Sequence, residues 1–565
     1  MKKIKLIVAA VCIIVLSTTV TFAQQDPAQN DFEISKNLDI FINAYKQLNT
    51  NYVDNINPGQ LIKTALDAML ESLDPYTVYI PESDIEDYRF MTTGQYGGIG
   101  AIIYRRDSYI YISEPYENAP ADKAGLKAGD KILEINGKSA QNKTVDEVST
   151  ALKGQPGTDI VLLIQRDSTE KPVEKTITRE EITITNVPYS GFVSKDIGYI
   201  NLSEFRQNAA KEVKEAFVKL TENKDLKGVI LDLRGNGGGL LNEAVSIVNI
   251  FVDKGQLVCS TKGKLKDKNN IHRTQGIPVD TKIPFVVLVD GNSASASEIV
   301  AGSIQDLDRG IIIGQRTFGK GLVQNIVPLS YNAQMKVTIA KYYTPSGRCV
   351  QAIDYFNKDD NGKAPHIPDS LLKPFKTKAG RTVMEGSGID PDIEVDMPDY
   401  KDITLSLMSK NLFFDFAVWF NKNHPTIAPA ATFTITDDIY DEFTKFLKGK
   451  DYSYTTESEK ALEDFKDKAV ADNYFDKVKD QYNLLHEKII SQKKNDLMDN
   501  KAEISRVLRV FIVPLYYYQK GRIESSLSDD MDVAKAIEIL SSPTVYSSYL
   551  SSSYVKPETK KNSNK

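Results

Sequence analysis

Cysteine, histidine and long apolar runs are all scarce in this sequence. The 565 residues hold only three cysteines, Cys12, Cys259 and Cys349. Cys12 lies in a leader-like segment, so the remainder can form at most one disulfide and a disulfide scaffold is excluded. Net charge is −6, which argues against a nucleic-acid partner. The N-terminal apolar run, Leu6 to Leu16, is short for a membrane span. It follows Lys2, Lys3 and Lys5 and ends in Thr21-Phe-Ala23, the layout of a cleaved secretory leader over residues 1–23. The mature chain is expected to begin near Gln24 in the periplasm or another exported compartment, and to be membrane-associated if the leader is retained. Cys12 sits away from the cleavage site, so no lipoprotein is read.

The most informative stretch runs from Ile283 to Gln324. Phe285 to Val289 is an unbroken apolar run, long enough for a buried strand and too short for a helix. Small residues follow from Gly291 to Ser297, and a helical pattern then runs to about Leu307. The serines therefore fall where strand becomes helix, beside unpaired N–H groups and the positive end of the peptide dipole. A second strand over Gly310 to Gly314 leads to a turn with Lys320 between two glycines.

Two nucleotide readings compete, and particular residues count against each. Gly314, Gly319 and Lys320 match G-x-x-x-x-G-K, but Gly321 replaces the Mg²⁺-binding hydroxyl residue, and Leu322 to Val327 reads as strand where a phosphate-cradling helix is needed. In Gly235-Asn-Gly-Gly-Gly239 the third glycine of a dinucleotide fingerprint is replaced by Leu240.

The string SASASE, with Lys320 25 positions after Ser295 in TFGKG, resembles the carboxy-terminal-processing (tail-specific) serine proteases. Asp232-Leu-Arg-Gly-Asn-Gly-Gly-Gly239, Ala340 to Gly347 and Gly388 to Val395 are similar to further landmarks of that family, and so is Leu73-Asp-Pro-Tyr-Thr-Val-Tyr79. The resemblance implies an α/β, crotonase/ClpP-like protease core. It implies Ser295 as nucleophile, Lys320 as general base and Gln324 as the amide orienting the lysine, with Asp306 at a further position tied to activity. The oxyanion donors implied are the N–H of Ala296 and one from the glycine loop, most simply Gly238. Gly237 stands where many relatives have proline, so the choice among Gly237, Gly238 and Gly239 stays open. No metal, nucleotide or other cofactor is called for.

Elementary chemistry supports the same pair. A serine needs a neighbouring base, and His272, His366, His424 and His486 all lie outside the strand–turn–helix core. A lysine of ordinary pKa is neutral in about one molecule in 2,500 at pH 7, so burial must lower it.

Around this core the chain changes character. Residues 30–91 read as helical, with Leu38, Phe41, Ile42, Tyr45 and Leu48 at helical spacing. Residues 92–185 carry Gly97-Gly-Ile-Gly-Ala-Ile-Ile103, Ala124 to Asp130 and a helix near Val145 to Leu152, and look like a PDZ domain inserted before the protease core. Gly98, Ile99, Gly100 and Ala101 would present N–H groups to a substrate's free C-terminus, and the following strand would pair with the peptide. Ile99, Ile102 and the region of Val148 would line an apolar pocket.

The core is placed at 190–400, with a polar insertion over 353–386 to which no chemistry is assigned. A helical C-terminal extension follows at 401–550 and a polar tail at 551–565. In the extension Phe475, Val478, Tyr482, Leu485 and Ile489 form a stripe read as core packing, with an oligomer or adaptor interface as its other use. The partners expected are peptide or protein substrates with free C-termini. Two other classes stay open: a PDZ-bearing binding protein on a dead protease fold, and a P-loop ATPase.

Overall fold

The computed structural model describes residues 27–166, 171–359, 361–396 and 399–554. The leader expected over 1–23, Asp360 and most of the polar tail lie outside the described residues. Among the described residues no helix is long and apolar enough to cross a membrane.

Two compact units divide the chain, residues 1–72 and 73–565. The first holds α1 (Pro27–Asn51) and α2 (Pro58–Glu71). Asn57 caps α2 by accepting the Gln60 N–H, and Pro58 occupies the first turn, where its missing N–H costs nothing. The Tyr45 hydroxyl donates to the Pro58 carbonyl at 2.8 Å, tying α1 to that start.

The second unit opens with the short strand β1 (Val78–Ile80) and then builds the PDZ domain. Its strands are β2 (Gln95–Gly98), β3 (Ala101–Arg106), β4 (Tyr109–Pro115) and β5 (Lys131–Ile135), followed by α3 (Val145–Leu152), β6 (Asp159–Gln165), β7 (Val173–Thr178) and β8 (Glu180–Thr183). The sheet order is β3-β4-β5-β6-β7, and β2 pairs separately with β8. Helix α3 starts on a reciprocal cap: Thr144 Oγ1 accepts the Glu147 N–H, and Glu147 accepts the Thr144 N–H.

The protease core follows, with β9 (Tyr189–Phe192), β10 (Ile197–Asn201), α4 (Ala209–Thr221), β11 (Gly228–Asp232), α5 (Leu241–Phe251) and β12 (Leu257–Gly263). Next come β13 (Phe285–Val289), α6 (Ala296–Asp306), β14 (Ile311–Gly314), β15 (Leu322–Pro328), β16 (Gln334–Tyr343) and β17 (Ile393–Glu394). The main sheet has the order β9-β10-β11-β13-β14-β17, with every pair after β10 parallel. After α5 the chain does not return at once to this sheet. It first contributes β12 to a second, antiparallel sheet with β1, β15 and β16, and only then forms β13 beside β11.

All five residues of β13 are 0 % exposed, because both sheet faces are covered. Phe285, Val287 and Val289 pack with α4, α5 and α6, whereas Val286 and Leu288 pack on the opposite side. Each such side chain stabilises the fold by about 1.5–3 kcal/mol on burial.

The covering on that opposite side comes from the C-terminal extension. Its α7 (Leu412–Asn423) and α8 (Lys501–Ile512) build a separate aromatic-rich core with Phe413, Phe416, Phe420 and Leu508. Its last helices, α9 (Met531–Leu540) and α10 (Pro543–Tyr549), instead lay Val533, Ala536, Ile539, Leu540 and Tyr546 on the protease sheet. Gly228 permits this approach, since a Cβ there would lie 2.9 Å from a methyl of Leu540. The stripe from Phe475 to Ile489 behaves differently. It lies on the helix Phe475–Lys493, none of whose residues is fully buried, so the expectation of core packing is corrected there.

Candidate active site

Parallel strands β11, β13 and β14 end at one sheet edge, which places the glycine loop, the serine turn and the lysine turn side by side. The first two are knitted together through backbone and side-chain groups. Asp290 Oδ1 accepts the N–H of Gly235 at 2.9 Å and that of Ser293 at 3.0 Å. The Asn236 carbonyl accepts the Ala294 N–H at 3.0 Å and the Ser297 hydroxyl at 2.8 Å.

Ser295 is the residue before α6 and has φ 55° and ψ −109°. A positive φ at a non-glycine residue stores about 1–3 kcal/mol, which the surrounding bonds must hold. The side chain stays partly exposed while its neighbours Ala294 and Ala296 are buried.

Glu298, one turn into the helix and 0 % exposed, does most of the holding. Its Oε2 accepts the backbone N–H of Ser295 and that of Lys320, both at 2.8 Å. Its Oε1 accepts the Thr317 hydroxyl at 2.6 Å and the Gly319 N–H at 2.7 Å. One carboxylate thus joins the serine turn to the lysine turn. Burial pushes its carboxyl upward against the downward pull of these four donors. In the sequence nothing marks Glu298 out, because S-x-x-E before an apolar run is an ordinary helix-capping signal.

Lys320 is largely buried, and its pKa is lowered to about 8, first by desolvation and next by the nearby charge of Lys336, with Glu298 and Asp74 acting in the other direction. Its ammonium lies 3.9 Å from the centroid of the Tyr76 ring, whose hydroxyl is 3.2 Å from that of Tyr355. Tyr355 belongs to the insertion over 353–386, so that segment helps to wall the lysine. No hydrogen bond joins the Ser295 hydroxyl to the Lys320 amine among the described residues.

The other expected residues fall as follows. A Cβ on Gly238, which has φ 99°, would lie 2.7 Å from the Ala294 carbonyl, 2.8 Å from Ser295 Cβ and 2.9 Å from the Ala296 nitrogen. Only glycine lets the loop approach the serine this closely. The Gly238 N–H, however, donates to Asn236 Oδ1 at 2.9 Å, so an oxyanion would have to displace that side chain to use it. Gln324 donates from Nε2 to Thr338 Oγ1 at 3.2 Å, and Thr338 donates in turn to Asp74. The glutamine therefore braces the wall around Lys320, and among the described residues no hydrogen bond joins it to the Lys320 amine.

Asp306 lies away from the serine turn. It ends α6, an 11-residue helix of about 16 Å, at the far end from Ser295. There it accepts the Ser346 N–H at 3.0 Å and pairs at 2.9 Å with Arg348, the two side chains being 0 % and 1 % exposed. It fixes the Thr344–Arg348 turn and touches no reacting atom.

In the PDZ domain β3 is the sheet edge, with no strand on the side away from β4 among the described residues. The loop Gly98-Ile-Gly-Ala101 feeds that edge. Gly100, at φ 73°, has no room for a Cβ beside Ala119, and its carbonyl accepts the Tyr116 N–H at 3.0 Å. The Ile99 carbonyl accepts the Ala121 N–H at 2.7 Å. Ile99 and Val148 are buried, and Ile102 is 42 % exposed. Arg106, at the end of β3, pairs bidentately with Asp415 of α7 at 2.5 and 3.0 Å, which ties the domain to the helical extension.

Comparison with known proteins gives matches along most of this arrangement. Residues 196–367 match peptidase family S41, residues 111–166 a PDZ domain, and residues 403–540 the C-terminal helical domain of probable PDZ-proteases. Residues 15–83 match the N-terminal domain of the activating protease CtpB. A carboxy-terminal-processing protease of Bartonella bacilliformis is 38% identical over 341 residues, covering 60% of this chain and 78% of its own. A probable CtpA-like serine protease of Staphylococcus aureus is 33% identical over 372 residues, covering 65% of this chain and 67% of its own. Among solved structures, a photosystem II D1 C-terminal processing protease is 26% identical, covers 63% of this chain and 92% of its own, and gives a TM-score of 0.34.

Proposed function

The chain belongs to peptidase family S41 as a carboxy-terminal-processing serine protease with a PDZ domain, and from that premise we propose that Ser295 and Lys320 are its catalytic dyad. The observation that carries this reading is Glu298, whose single carboxylate accepts the backbone N–H of both residues. Two turns held by one buried anion keep a fixed relation to each other.

In the reaction, the neutral Lys320 amine leaves the Tyr76 ring and takes the proton of Ser295 Oγ as that oxygen attacks the peptide carbonyl. The Ala296 N–H and a glycine-loop N–H stabilise the oxyanion. Lys320 then gives its proton to the leaving amine, an acyl-enzyme remains, and the same amine activates the water that releases it. The PDZ edge β3, with Gly98 to Ala101, takes the substrate's C-terminal carboxylate and presents the chain to the dyad. The lysine-flanked apolar leader supports export of the mature chain.

The test is intact-mass analysis after incubation with a fluorophosphonate. One adduct, mapped to Ser295 and absent from Ser295→Ala, is the expected result. An unlabelled wild-type protein that still binds C-terminal peptides would instead support a binding module on an inactive protease fold.

A further inference from the structure

The glycine loop cannot hold its own shape. Gly235, Gly237 and Gly239 are exposed, and none has a side chain to pack, so the loop's position must come from its bonds to neighbouring residues. One anchor is the serine turn, through Asp290 and the Gly235 N–H. A second is Asn236, 0 % exposed, which donates to the Leu202 carbonyl at 2.7 Å and accepts the Gly238 N–H at 2.9 Å. The third is Arg234, the residue directly before Gly235.

Arg234 is gripped from two parts of the chain. Within its own strand end, Asp232 accepts its N–H at 2.9 Å and its guanidinium at 2.6 to 3.1 Å. From the C-terminal extension, about 300 residues on, Asp530 accepts at 2.7 and 2.9 Å and Asp532 at 2.7 Å. Asp530 also caps α9, accepting the Val533 N–H at 3.1 Å. The Asp232 and Asp532 side chains are each 4 % exposed, Asp530 is 16 % exposed and Arg234 19 %. The Tyr199 hydroxyl completes the cluster on Asp232 at 2.6 Å. Arg234 thus spans the start of the loop and the helix that covers the sheet.

We infer that Asp530 and Asp532 are positioning residues for the protease reaction, holding the oxyanion loop in place through Arg234. The extension on this view is a working part of the catalytic domain as well as an appendage to it. The inference rests on the proposed reading that the glycine loop supplies an oxyanion donor.

The test compares Asp532→Asn and Asp530→Asn/Asp532→Asn with wild type, with Asp529→Asn as the control, since Asp529 pairs with Arg509 outside the network. With a peptide substrate ending in a free carboxylate, kcat per folded enzyme should fall about ten- to a hundredfold while KM stays constant, because misplacing a reacting group by about 1 Å costs that much. Asp532→Glu, which restores the charge, should recover most of the loss. A second readout does not depend on catalysis: in a Ser295→Ala background, amide exchange over residues 233–240 should quicken on neutralising Asp532. Unchanged kcat, or a fall in melting temperature with unchanged loop exchange, would reduce the network to a structural clamp and overturn the inference. An inert wild-type protein would sink the dyad reading, and the exchange measurement would still decide this one.

Discussion

The backbone N–H of Lys320 donates to Glu298 Oε2 at 2.8 Å, so the base is placed by a carboxylate that also holds the nucleophile's backbone. Replacing Glu298 by Gln keeps the shape but turns one acceptor oxygen into a donor facing two N–H or O–H groups. Each buried donor left without an acceptor costs about 1–3 kcal/mol. Glu298→Gln should therefore lose about 2–4 kcal/mol in urea unfolding and at least about a hundredfold in kcat/KM. A variant of normal stability and normal kcat/KM would show that the two turns are placed by something else.

The pKa of Lys320, lowered to about 8, sets the pH profile. The base must be neutral, so kcat/KM should rise about tenfold per pH unit below 8 and level off above it. The sign for stability follows from linkage. The unfolded lysine, near 10.5, takes up its proton first as pH falls, so stability drops between about 10.5 and 8 and then stays level. Lys320→Met should remove that drop, and the contact with Tyr76, which favours the charged amine, opposes it. A flat kcat/KM from pH 6 to 9 would contradict the assignment of Lys320 as base.

Recognition by the PDZ edge should depend on the substrate's terminal charge. Amidating the C-terminus of a peptide removes the carboxylate and keeps every side chain. Charge-assisted hydrogen bonds contribute roughly 1.5–3 kcal/mol, so apparent affinity should fall about ten- to a hundredfold. Competition between acid and amide forms of one peptide measures this directly, and equal binding would mean that Gly98 to Ala101 do not read chain ends.

Local signals made much of the fold legible in the sequence. Helix α3 was expected near Val145 to Leu152 from the PDZ resemblance, and Thr144 and Glu147 cap it while Val148 and Leu152 share one buried face. Strand β15 was readable because Leu322 to Val327 lacks helical spacing, and this also removed the phosphate-loop reading of Lys320. Long-range relations were not legible. Asp306 finds Arg348 across 42 positions, and no local pattern distinguishes a buried ion pair from a catalytic carboxylate. Val533, Ala536 and Leu540 of α9 pack on the protease sheet, and this too is a long-range relation, since an amphipathic stripe does not name what it covers. Glu298 was hidden differently, since its capping position gave it a sufficient ordinary explanation.

The dyad itself is tested most directly by a double-mutant cycle on peptide cleavage with Ser295→Ala, Lys320→Ala and the combined variant, each checked for folding. Groups that act as a unit are not additive, so either single substitution should abolish turnover and the double variant should be no slower than the slower single. A double variant far slower than both singles would show that the two side chains act independently, and the Ser295–Lys320 dyad would be wrong.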